Sequence, residues 1–165
     1  MKNLFLLPAA AIVAALLASG PGTTPAPAPG GASLEKATKL LLDERSTDAD
    51  RRAGLLALLD AVSEAAPSSG VPGEWPRQVA RARTLLAGGA TPDGEPGGLL
   101  REAYRAVNGG AEFRFPELAR KPGEVVDLVR KRMQEASEAL GASRPAVGVR
   151  RMLEAVLLVV TPVEA

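Results

Sequence analysis

Two glutamates bracket two phenylalanines in the stretch AEFRFPEL: Glu112 and Glu117 flank Phe113 and Phe115. A pair of carboxylates is enough to cleave a glycosidic bond, one as acid and the other as base or nucleophile. A sugar cleft also calls for aromatic platforms, and the chain holds only three Phe, one Trp and one Tyr. Carboxylate hydrolysis therefore ranks third among the functional readings.

Two further acidic groups, Asp43-Glu44 and Asp48-Ala49-Asp50, have the oxygen chemistry of a hard-cation site. The later glycine and terminal glutamate of a calcium loop are missing. Carboxylates at a helix N-terminus, favoured there by the macrodipole, account for the second group. The chain contains no histidine and no cysteine. That removes Ser-His-Asp and Cys-His nucleophiles, the usual zinc sites and haem ligation by His or Cys. The glycines between Gly88 and Gly98 lack the spacing of a phosphate-cradling loop. No catalytic, cofactor-binding or metal-binding residue is expected.

The positive signal comes from arginine. Arg77, Arg81 and Arg83 follow Glu74 with no other acid nearby in sequence, and Arg77 and Arg81 are spaced to share a helix face. Such a patch suits an acidic partner protein or an anionic polymer. Phe113 and Phe115 offer an exposed aromatic edge for a peptide. These five residues are the candidate partner-binding set. The competing reading is structural: arginines pairing with acids of other helices, and phenylalanines laid across the core by an extended connector.

These residues must be positioned by helices. Ser33 is placed to cap a helix over residues 34–45, with Leu34, Ala37 and Leu41 on one stripe. Thr47 and Asp50 approximate a capping box for a helix over 48–66, carrying Leu55, Leu59, Val62 and Ala66 inward and stopped by Pro67. A third helix starts near Pro76 with Trp75, Val79, Ala82 and Leu86 aligned. The Gly88–Gly98 loop leads to a short fourth helix, Leu99 to Val107. The fifth spans Pro122 to Leu140, with a seam of Val126, Val129, Met133, Ala136 and Leu140 and Gly141 as its cap. The last starts at Pro145 and runs towards Pro162, with Met152 to Val160 apolar on almost every side and therefore central.

The helices fall into three consecutive pairs of roughly 34 residues, a length that resembles tetratricopeptide hairpins. No residue signature recurs between the copies. The expected fold is all-α, an irregular bundle of four to six short helices over residues 33–165.

Ahead of it, Lys2 precedes an uncharged run from Leu4 to Leu17 that ends in small residues. As a helix this run would be roughly 20 Å long, short of a ~30 Å hydrocarbon core. Residues 1–22 therefore read as a secretory signal peptide, or else as an uncleaved anchor. Residues 23–32 read as a Pro/Ala/Gly linker. The location implied is extracytoplasmic, periplasmic or secreted, with membrane contact only through the N-terminal segment.

With 20 basic and 19 acidic residues, the chain has no nucleic-acid-type surface. The reading is an exported, noncatalytic helical domain that binds another envelope protein or organises structure. The alternative is a binder of small ligands or anionic polymer that uses an inter-helix cleft.

Overall fold

The computed structural model describes residues 28–116 and 121–161. The leader, the first part of the linker, Glu117 and Pro162 lie outside them. Among the described residues the fold is all-α, with six helices and no strand.

The first, α1 (Gly31–Leu42), begins earlier than Ser33 suggests. Its cap is Gly30, at φ +89°. A Cβ there would lie 2.6 Å from the Ala61 carbonyl oxygen, so only glycine lets the chain enter this close to the second helix. Ser33 is inside the helix instead, and its hydroxyl donates to Glu64 Oε1 at 2.8 Å. Gly31 and Ala32, assigned to the linker by composition, form the first turn.

The second helix, α2 (Asp48–Ser69), opens with the capping box read from the sequence: Asp50 N donates to Thr47 Oγ1, and Thr47 N to Asp50 Oδ2. Pro67 does not stop it. Proline forfeits its own amide bond but leaves the following residues free to finish the turn, and Gly70 at φ +69° ends the helix.

The third and fourth helices are α3 (Trp75–Ala87) and α4 (Glu95–Val107). Trp75 is buried, and its indole N–H donates to the Val71 carbonyl at 3.1 Å. The fourth helix starts four residues before Leu99. Gly97, taken for part of the loop, lies in its first turn and is buried, where a Cβ would come within 2.8 Å of the Pro92 carbonyl oxygen. Close approach, rather than flexibility, explains that glycine.

The last hairpin joins α5 (Pro122–Gly141) to α6 (Pro145–Val160). The left-handed residue that closes α5 is Ser143, at φ +57°, and Gly141 is the final helical residue. The inward seam of α5 is Val125, Val129, Met133, Ala136 and Leu140. Val126, assigned to the seam from its spacing, faces outward at 42% exposure. Both valines meet Val129 at helical spacing, one at i+4 and the other at i+3, so periodicity alone does not choose between them.

Each helix pair packs as a hairpin, and the hairpins also touch one another. The helix α6 lies against α2, α4 and α5, while α2 also meets α1 and α3, and α1 meets α5. A solenoid would leave its end pairs out of contact. Here the third hairpin contacts both others, which makes a closed bundle. Met152 to Leu158 are buried without interruption, the consequence of a helix enclosed by three neighbours.

Candidate functional site

The five-residue sequence RMxEA occurs twice, as Arg132-Met133-Gln134-Glu135-Ala136 on α5 and Arg151-Met152-Leu153-Glu154-Ala155 on α6. On antiparallel helices the two copies face each other. Both methionines and both alanines are buried, and the charged residues form a closed ring beside them.

Arg132 Nη1 donates to Glu135 Oε1 at 3.2 Å, and Arg151 Nε reaches Glu135 Oε2 at 2.9 Å. Arg151 Nη1 donates to Glu154 Oε1 at 2.8 Å. Arg132 Nε stands 3.9 Å from Glu154 Oε2 and closes the ring as an ion pair without a hydrogen bond.

Glu154 is the buried charged residue of the described core, 8% exposed. From α4 the Tyr104 hydroxyl donates a long 3.4 Å bond to its Oε2. Burial, and then the negative charge of Glu154, push the Tyr104 hydroxyl pKa above its ordinary value. Burial opposes the charge of Arg151, but Glu154 and Glu135 outweigh it and hold the guanidinium protonated above its usual range. The sequence signal for the ring is the repeated pentapeptide, but spacing along one helix does not show that the two copies meet.

Above Tyr104 a cleft of about 680 Å³ opens between the end of α4, residues 110–116 and the α5–α6 hairpin. Phe113 stands edge-on to Tyr104, ring centroids 5.7 Å apart at 90°. Phe113 and Phe115 are both half-buried and packed against the core, on an extended connector. Glu112 lines the cleft and is exposed, while Glu117, its proposed catalytic companion, lies outside the described residues.

The three arginines of α3 do not converge. Arg77 pairs with Glu74 at 3.1 Å, Arg81 with Glu95 of α4 at 2.9 Å, and Arg83 with Asp60 of α2 at 2.5 Å. The hydrogen bonds that Arg83 donates to the Asp60 carboxylate hold its guanidinium pKa above the usual value. The acids that sequence proximity missed are supplied by neighbouring helices.

A second concavity, about 1100 Å³, lies where the end of α1 meets the start of α5 and the end of α6. Leu41 and Leu42, Val126 and Val129, and Leu158 and Val159 supply its apolar wall. Val126 at 42% and Val159 at 38% are the exposed large hydrophobics of the described residues, and both belong to this groove. Charged residues of both signs line it as well, among them Asp43 and Glu44, Arg51, Lys121 and Arg130.

Among the described residues no cluster of three potential metal ligands occurs, and no helix is long and apolar enough to cross a membrane. Compared with protein-family models, curated proteins and solved structures, the chain matches none.

Proposed function

We propose that the chain is an exported, noncatalytic helical domain of the cell envelope that binds a protein partner through the α1–α5–α6 groove. One observation carries this reading: the two large hydrophobics left exposed, Val126 and Val159, come from different helices and share one concave surface. Exposed apolar side chains gathered in one place with a polar edge suit a partner surface better than solvent.

The occupant that fits is an amphipathic helix, its apolar stripe set against the valines and leucines. Asp43 and Glu44 have no salt-bridge partner among the described residues, so a basic residue on that helix would meet them. Export rests on Lys2 and the uncharged run that follows it.

The test is site-specific photo-crosslinking in producing cells. A photoreactive residue at position 126 and one at 159 should capture the same protein, and one at the exposed Gln134 should not. Val126→Asp/Val159→Asp should fold normally, since exposed substitutions shift stability by only about 0.5 kcal/mol, and should lose that partner. Equal yields from all three positions would refute the groove, and a product of twice the chain mass would replace the partner by a second copy. Independently, the exported protein should begin between residues 19 and 23 by intact mass.

A further inference from the structure

We propose that the cleft beside Tyr104 and Phe113 is a second binding site, for a small aromatic carboxylate. Its volume, about 680 Å³, falls within the roughly 300–1,000 Å³ typical of small-molecule sites. Phe113, Tyr104 and Leu158 give it an apolar side on which a flat ring can rest.

Three arginines from three different elements line it: Arg105 from α4, Arg114 from the connector and Arg132 from α5. Arg114 has no ion pair among the described residues, and the pairing of Arg105 is one 3.7 Å contact with Glu102 on its own helix. Arg132 commits Nη1 and Nε to the ring, which leaves Nη2 available. Donors without a strong partner therefore line the cleft beside Glu154, whose oxygens already receive Arg151 and Tyr104.

A guanidinium fork matches the geometry of a carboxylate or a phosphate. The choice between them follows from Glu112 and Glu154, which line the same cleft. Each negative charge on the ligand meets theirs, so a monoanion fits better than a dianion. Leu158 lines both this cleft and the apolar groove, but the donors argued here line only the cleft, and the inference does not depend on the groove having a partner.

The full chain carries its own reporters. Tyr104 is its one tyrosine and Trp75 its one tryptophan, so a 3-fluorotyrosine label gives a single fluorine resonance inside the cleft. The indole N–H of Trp75, held by the Val71 carbonyl, lines neither cleft nor groove and reports folding.

Benzoate should shift the fluorine resonance saturably at roughly millimolar concentration, the range expected of so small a ligand, and leave the indole signal in place. Acetate and phenyl phosphate should bind more weakly, and benzamidine, the cationic analogue, should not bind. Arg114→Gln should weaken benzoate by about tenfold or more. Arg144→Gln, at the α5–α6 turn, and Val126→Asp/Val159→Asp should bind as the parent does.

A folded protein with no saturable shift would overturn the proposal, as would benzamidine binding equally or an unchanged affinity in Arg114→Gln. Tighter binding of phenyl phosphate than of benzoate would overturn the assignment to a carboxylate.

Discussion

Ser143 is the one described non-glycine residue with positive φ, at +57°. A Cβ in that conformation costs roughly 1–2 kcal/mol, part of which glycine's greater freedom in the unfolded chain cancels. Ser143→Gly is therefore expected to raise stability by up to about 1 kcal/mol, read as a higher urea midpoint at constant slope. Tyr104 makes a pH prediction. Its native pKa lies above the value of about 10 in the unfolded chain, so the folded state keeps its proton longer. That contribution to stability is full below pH ~10 and declines as pH rises towards the native pKa. Tyrosinate absorbance, which reports this residue alone, should titrate above pH ~10 in the folded protein. Tyr104→Phe should lack this part of the alkaline loss of stability.

At the scale of elements, the charge ring ties α5 to α6. Its side chains are 24%, 28%, 28% and 10% exposed for Arg132, Glu135, Arg151 and Glu154, so water screens it less than a surface pair. Glu154→Leu leaves Arg151 and Arg132 facing a missing carboxylate and should cost about 2–3 kcal/mol. Arg151→Leu/Glu154→Leu removes one charge of each sign and leaves Arg132 on Glu135, and should cost less than the single change. Equilibrium unfolding of both variants decides; a double variant less stable than Glu154→Leu would mean that packing, not charge balance, governs the ring. Much at this scale was legible in the sequence. The Thr47 box, the Trp75-Val79-Ala82-Leu86 stripe and the pairing of helices follow from local spacing. What was hidden depended on neighbours: Gly30 and Gly97 against carbonyls of other segments, Asp60 and Glu95 as partners of Arg83 and Arg81, and Val125 rather than Val126 turned inward. The cleft was half legible, with Phe113 singled out and Tyr104 overlooked, because nothing in the sequence places residues 104, 132 and 154 together.

For the whole molecule, the decisive feature is that α6 touches three other helices. The three hairpins are thus one cooperative unit rather than a stack from which an end pair can be removed. A chain ending at Ala142 should lose its sharp thermal transition altogether and keep only residual helix by circular dichroism. A stable, well-dispersed NMR spectrum from that truncation would show that the first two hairpins fold alone.

The enclosed position of α6 also sets a timetable. It follows the other five described helices, so on the ribosome the apolar stripes of α1 to α5 emerge before the helix they close around. Until residue 160 clears the exit tunnel, the chain stays loose, accessible to chaperones and threadable. Pausing translation before α6 should leave the nascent chain fully protease-sensitive, and release should convert it to a resistant form in one step.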